Sequence, residues 1–222
     1  MRIDVITLNA VKNYGSVLQA FATQEFLKEV GGNNIDVRII NYIREDCKDK
    51  NLMSNWCGKN IIKRIAFYPT FKRWKKVFGN FNRKYLNLTN NVYTTEDDFK
   101  NYPLEADAYC TGSDQTWNSK WNKGIIPPLY LSFVPSNKYK FSFAASFGQS
   151  ELSVDEVDKT IDYLKEYKRI SVRESSGLDI INNQYHLDNG IHIVDPTLCV
   201  TGEFWRKYVS PRKIKKRLYI NL

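Results

Sequence analysis

The chain has 222 residues, 33 Lys/Arg against 24 Asp/Glu for a net charge of +9 at pH 7, and is rich in aromatics, with 14 Tyr, 12 Phe and 5 Trp. That length buries one substantial core, and no apolar run approaches the roughly 18 residues of a transmembrane helix. Four cysteines without a CxxC pair, and two histidines at no metal-ligand spacing, argue against a disulfide framework and a zinc site and for free thiols in a cytoplasmic protein.

Residues 2–8, Arg-Ile-Asp-Val-Ile-Thr-Leu, form a β-branched run with partial alternation and read as a first strand. Asp4 stands where a signal peptide needs an unbroken apolar stretch. After a polar loop, Asn9 to Gly15, Ser16 can cap a helix that carries Val17, Leu18, Phe21 and Leu27 near helical spacing and ends at Gly31-Gly32. Residues 36–42 read as a second strand, and strand–helix–strand implies parallel pairing with a right-handed crossover. Between Lys50 and Thr95 stand ten Lys/Arg and no Asp/Glu, so the rest of the chain is close to neutral. Within this basic insertion, about 50–95, residues 61–67 and 71–78 read as two short helices broken at Pro69. The α/β rhythm returns with a short helix near 95–100, a strand at 108–111 and a strand at 141–146 closed by Gly148. Ser153 and Glu156 have capping-box spacing ahead of Val154, Val157, Ile161 and Leu164. A strand at 169–172, a helix at 173–183 and a last central strand at 191–194, stopped by Asp195-Pro196, follow. The pattern predicts an α/β, Rossmann-like domain over 1–206, its mainly parallel sheet covered by helices on both faces. Residues 207–222 read as a linker and one more strand, either an edge strand or the first of a further domain.

In such a sheet the loops leaving the carboxyl ends of the strands share one edge. Four groups follow strands there: Asn13-Tyr14-Gly15-Ser16, Gly112-Ser113-Asp114-Gln115, Ser146-Phe147-Gly148 and Arg173-Glu174. Gly112 lets the backbone approach a ligand, and Ser113, Asp114 and Gln115 offer a hydroxyl, a carboxylate and an amide within one turn. Trp117 adds a flat face of the sort sugar rings pack on; the plainer reading of this stretch is a Ser-Asp helix cap beside a core tryptophan. The first loop opens a helix, whose free N–H groups favour an anion, but it lacks GxGxxG and so carries no dinucleotide fingerprint. Arg173 brings a planar cation suited to a carboxylate or phosphate, or else an ion pair with Glu174 or another acid. His192, inside a strand, reads as a satisfied core or edge histidine; Asp195-Pro196-Thr197, which also follows a strand, reads either as a ligand loop or, more commonly for Asp-Pro, as a plain turn. No Ser/His/Asp or Cys/His set is brought together by this topology.

Taken with Ser171-Val172-Arg173-Glu174 and Val194-Asp195-Pro196-Thr197-Leu198, the blocks from Asn13 to Ala20, from Gly112 to Asn118 and from Phe143 to Gly148 occur in an order that resembles the N-terminal half of the polysaccharide pyruvyl transferase family, from residue 1 to about residue 206. The resemblance implies the N-terminal half of a two-domain, glycosyltransferase-B-like architecture. It implies transfer of the enolpyruvyl unit of phosphoenolpyruvate onto two hydroxyls of a sugar, as a cyclic ketal, in capsule, exopolysaccharide or secondary cell-wall assembly. It also implies that Arg173 contacts the donor, that further donor contacts lie in a C-terminal half, and that these 222 residues alone lack the activity. On this reading Asn13, Tyr14, Gly15, Ser16, Gly112, Ser113, Gln115, Trp117 and Arg173 bind substrate, while Asp114 or Glu174 accepts a hydroxyl proton. Phosphoenolpyruvate is the donor substrate, a glycan or lipid-linked saccharide is the acceptor, and the scheme requires no metal and no redox cofactor.

The basic segment bears on partners. Over 59–84 its cations interleave with Ile65, Phe67, Trp74 and Phe78, a composition that can lie on an anionic membrane surface and would bring a cytoplasmic protein to the inner membrane face. It can equally be a solvated helical pair that packs its aromatics on the domain. Nucleic-acid binding has no recognition motif behind it. Beside the transferase, two readings stay open: a non-catalytic Rossmann-like binding domain and a nucleotide-sugar-dependent glycosyltransferase half.

Overall fold

The computed structural model describes residues 1–209, so the strand expected at 217–222 lies outside the described residues. β1 (Arg2–Ile6) leads through a loop to α1 (Tyr14–Gly31) and then to β2 (Asp36–Tyr42). The basic insertion folds as α2 (Asp49–Cys57) and α3 (Ile61–Tyr85), followed by β3 (Leu88–Tyr93) and α4 (Glu96–Asn101). β4 (Ala108–Thr111), the single turn α5 (Ser119–Asn122) and β5 (Tyr139–Ser142) come next, then α6 (Val154–Lys165) and β6 (Ile170–Val172). α7 (Ser175–Asp179) runs on into a π turn, and β7 (Gly190–His192), α8 (Pro196–Cys199) and α9 (Gly202–Arg206) complete the described chain.

Five strands pair in the order β3-β2-β1-β4-β5, every pair parallel. β6 and β7 form a second parallel pair, which bridges from Arg169 to Phe141 and from Val172 to Ala145 attach beside β5. Strand side chains alternate across the sheet. Ile3, Val5, Val37, Ile39 and Cys110 pack under α1 through Ala20 and Phe21, while Ile6, Ile40, Tyr109 and Val172 pack on the other side with Trp117, Phe147 and Leu164. The domain is therefore α/β and Rossmann-like, with the central strands buried on both faces.

Several local features differ from the sequence reading. α1 is capped by Asn13, not Ser16: Asn13 is extended (φ −133°) and its side-chain oxygen accepts the Gly15 N–H at 2.7 Å, which places Ser16 inside the first turn. β1 stops at Ile6 because Thr7 turns its hydroxyl to the Ser113 carbonyl, 2.6 Å away. The two helices expected at 61–67 and 71–78 are one helix through Pro69. The carbonyl that proline leaves without its helical partner belongs to Ile65, an exposed residue in a stretch of the helix that faces solvent. β3 carries two adjacent asparagines at a sheet edge, and only Thr89 and Tyr93 of it are buried. Ladder pairing at 141–146 is regular only to Ser142, and Ala145 continues it as an isolated bridge between Asp114 and Val172. Ser153 accepts the Glu156 N–H, the helix-capping half of the expected box.

Trp117, expected to present a face to a sugar, is instead a core side chain at 1% exposure. It stacks on Tyr130 and Phe147 at centroid distances of 5.7 and 5.1 Å, and its indole N–H donates to the Leu129 carbonyl at 3.1 Å. Trp117→Ala should lower the unfolding free energy by about 3–5 kcal/mol. Urea denaturation checks this; a loss below about 1 kcal/mol would place the indole outside the core.

Candidate functional site

The crossover from β1 to β2 and the chain from β4 to β5 leave the sheet in opposite directions, so the loops after β1 and β4 open a crevice at its carboxyl edge. A cleft of about 300 Å³ lies there. Asn13, Gly15 and Ser16 at the start of α1 form one wall, Asp114 and Gln115 a second, and Arg173, Asp195 and Thr197 a third. Three of the four loop groups picked out by sequence thus converge. The fourth does not reach the cleft: Ser146 and Phe147 are buried beneath Trp117, whose N–H donates to the Ser146 carbonyl.

Asp114 sits at the centre of this arrangement. Its backbone is left-handed (φ 88°), an uncommon conformation for a residue with a side chain and one found at functional sites. Its carboxylate accepts the Ser16 hydroxyl at 2.5 Å and the Gln115 N–H at 2.8 Å. Gln19, one turn into α1, donates to Thr7 Oγ1 and the Ser16 carbonyl, while its amide oxygen is buried with no partner among the described residues. In α1's first turn Gly15 and Val17 bond back to Asn13, and the Tyr14 and Ser16 N–H groups have no partner among the described residues.

Arg173 is the one cation among the described residues lining the cleft. The ion-pair reading of it holds, with two acids as partners. Nε meets Glu174 at 3.0 Å and Nη1 meets Asp195 at 3.1 Å, while Nη2 has no partner among the described residues. Burial works against the guanidinium charge, but the bonds to Glu174 and Asp195 outweigh it and raise the pKa above its ordinary value. Burial likewise pushes the Asp195 carboxyl up, yet bonds from the Thr197 N–H and hydroxyl and from Arg173 hold it below the usual aspartate value. Asp195 also accepts the Ser113 hydroxyl at 3.4 Å, tying the β4 loop to the loop after β7. His192, at the exposed edge of β7, bonds the Arg173 carbonyl at 3.0 Å and supports the same corner.

The remaining expected residues stand elsewhere. Tyr14 is exposed and leans on Phe78 of α3, outside the cleft lining. Gly112 serves close packing rather than ligand approach, because a Cβ there would meet Thr7 and Val5 at 3.0 and 3.1 Å. Ser113 is fully buried and supports Asp195 and Thr7 from behind. Glu174 holds Arg173 but does not line the cleft. Five residues of the cleft lining, Val11, Gln19, Trp121, Asp195 and Thr197, are not among the expected site residues. Asp195, which from sequence alone reads as a turn more readily than as a ligand loop, caps α8 with Pro196 in the first helical position. Trp121, four residues after Trp117 and within α5, is 42% exposed and has the Arg44 guanidinium 4.3 Å over its ring. Asp46 and Asn122 in turn fix Arg44.

A larger hollow of about 730 Å³ lies at the opposite, amino edge of the sheet. Its charged groups are already engaged: Arg2 with Asp36 at 2.9 Å, and Asp107 with the Arg2 N–H at 2.6 Å. No group of three or more His, Cys, Asp and Glu among the described residues is placed to hold a metal ion. The sequence matches the model of the family described as polysaccharide pyruvyl transferase over residues 13–222. Neither the curated proteins nor the solved structures contain a match.

Asp195→Asn should cost about 1.5–3 kcal/mol of stability at neutral pH, the worth of hydrogen bonds to a charged group. Because the folded carboxyl titrates below the unfolded one, its contribution is complete above the unfolded pKa and is lost as pH falls through the folded value. The gap between wild type and variant should therefore close below about pH 4. Denaturant midpoints across that range check it; a gap independent of pH would contradict the assigned ion pair.

Proposed function

The chain belongs to the polysaccharide pyruvyl transferase family, and from that premise we propose that it transfers the pyruvyl unit of phosphoenolpyruvate to a sugar of a polysaccharide as a ketal, with the carboxyl-edge cleft as the meeting point of the substrates. The observation that carries this reading is the convergence of Asp114, Arg173 and the amino end of α1 on one cleft within the matched region. Arg173 offers its free Nη2 to a carboxylate or phosphate oxygen of the donor while Glu174 and Asp195 hold the guanidinium plane. The unbonded N–H groups of α1's first turn add donors and a favourable dipole for an anion. One cation does not neutralise the donor, so its remaining charge calls for cations beyond this lining.

In the reaction the donor's terminal carbon takes a proton and its central carbon accepts one sugar hydroxyl. The second hydroxyl then displaces inorganic phosphate from that carbon and closes the ketal. Asp114 is the group suited to accept a hydroxyl proton, being held in the cleft by Ser16 and Gln115. Glu174, engaged with Arg173, is a positioning residue. Asn13, Gln115 and Thr197 supply neutral hydrogen-bonding groups of the kind sugar hydroxyls use, and Trp121, pinned by Arg44, supplies the exposed aromatic face that Trp117 does not.

Phosphate release from phosphoenolpyruvate by the full-length enzyme, in the presence of galactose- or mannose-containing acceptors, tests the proposal. Arg173→Ala removes a charge-assisted bond worth about 1.5–3 kcal/mol, so turnover should fall roughly tenfold to a hundredfold. Arg173→Lys should recover only part, since an ammonium cannot reproduce the planar fork. Unchanged rates in Arg173→Ala would exclude the donor contact. Trp121→Ala should raise the acceptor KM and leave that of the donor unchanged, with Trp121→Phe close to wild type; equal effects on both would remove the platform role.

A further inference from the structure

The basic insertion carries apolar surface that nothing among the described residues covers. Ile61, Ile62, Ile65 and Tyr68, in the first two turns of α3, are 71, 80, 69 and 57% exposed. Ile61, Ile65 and Tyr68 lie three and four residues apart, hence on one face of the helix, and Lys72 and Lys76 continue that line. The aromatics on the opposite side are used internally: Phe67 and Trp74 pack on Trp56 of α2 at centroid distances of 5.8 and 5.3 Å, and Phe78 packs on Tyr14. The outward face is therefore isoleucine and lysine, and a depression of about 450 Å³ between α2 and α3, lined by Met53, Ile61, Arg64, Ile65 and Tyr68, opens onto it.

Charge selects the occupant. No acid occurs between Lys50 and Thr95, and among the described residues only Lys50 and Lys75 of this stretch form ion pairs, with Glu45 and Asp49. A second copy of the chain docking on this patch would set like charges against each other. A bilayer rich in anionic headgroups offers negative charge and an apolar layer together, and amphipathic helices of this pattern lie in its interface. No described helix is long and apolar enough to cross a membrane, so α3 would lie on the surface rather than span it. We propose that the exposed Ile61–Tyr68 face of α3, with Lys72 and Lys76, docks the protein on an anionic lipid surface. The other end of α3 holds the cleft side of the domain, through Phe78 on Tyr14 and Asn82 on the Asn9 carbonyl at 2.9 Å. Thirteen residues of helix separate Ile65 from Phe78, so the cleft end of α3 lies about 20 Å along the helix axis from the isoleucine face.

Co-sedimentation of the protein with vesicles of phosphatidylcholine alone, and of phosphatidylcholine with phosphatidylglycerol, tests the proposal. Binding should require the anionic lipid and weaken with salt. Ile61→Glu/Ile65→Glu and Lys72→Glu/Lys76→Glu change exposed residues only, and each should reduce the partition coefficient about tenfold with an unchanged thermal melt. No binding to either vesicle, equal binding to both, or full binding by both variants would overturn it. So would sedimentation velocity showing that the isoleucine changes convert a dimer to a monomer while vesicle binding stays the same. Phosphate release from phosphoenolpyruvate in free solution should not change in these variants, which separates this proposal from the catalytic one.

Discussion

The two parallel ladders that β1 makes, Arg2–Val5 against Asp36–Ile39 and Ile3–Ile6 against Ala108–Thr111, decide where everything else falls. They put β1 at the centre of the sheet, buried on both faces, and they bring its loop and that of β4 out side by side at one edge. A strand buried on both faces tolerates no slip of register, since a shift of one residue would exchange its two core faces. Even the one charged residue of its buried run fits this demand: Asp4 is fully buried and is met by Arg38 of β2 through two bonds of 2.8 and 2.7 Å. The crevice is thus a consequence of strand order, and the residues at its mouth inherit a rigid base.

On that base the cleft is knitted by Asp195. Its two oxygens gather the hydroxyl of Ser113, the guanidinium of Arg173 and the cap of α8, three points far apart in the chain. The result is a cation at the cleft wall whose plane is fixed by two carboxylates and whose Nη2 has no partner among the described residues. Such fixed donors act on developing or exchanged charge without reorganising, the property a group-transfer site needs. The same network explains why Glu174 and Ser113 matter without lining the cleft.

The sequence was legible where local signals and tertiary demands agree. The β-branched runs of β1 and β2, the helix that ends at Gly31-Gly32 and the apolar strand at 108–111 all emerged from pattern alone. β3 did not, because an edge strand with Asn90 and Asn91 carries no β signature, and its pairing with β2 rather than its propensity makes it a strand. Pro69 misled because a solvent-facing carbonyl can do without its helical partner. Within the site, Asp114, Ser16 and Arg173 could be found because each follows a strand. Trp117 carries no mark of burial and Trp121, four residues on, none of exposure: tertiary packing alone assigns the first to the core and the second to the cleft. Asp195 was hidden because Asp-Pro is common in turns, and its partnership with Arg173 spans 22 residues of sequence.

The proposed reaction turns on the donor being held at the carboxyl edge of the sheet by Arg173. The most direct measurement is a crystal structure of the protein soaked with phosphoenolpyruvate. The account predicts an anionic group of the donor on Arg173 Nη2, between the first turn of α1 and Asp114. Donor bound in the amino-edge hollow beside Arg2 and Lys138, with Arg173 making only its bonds to Glu174 and Asp195, would contradict it.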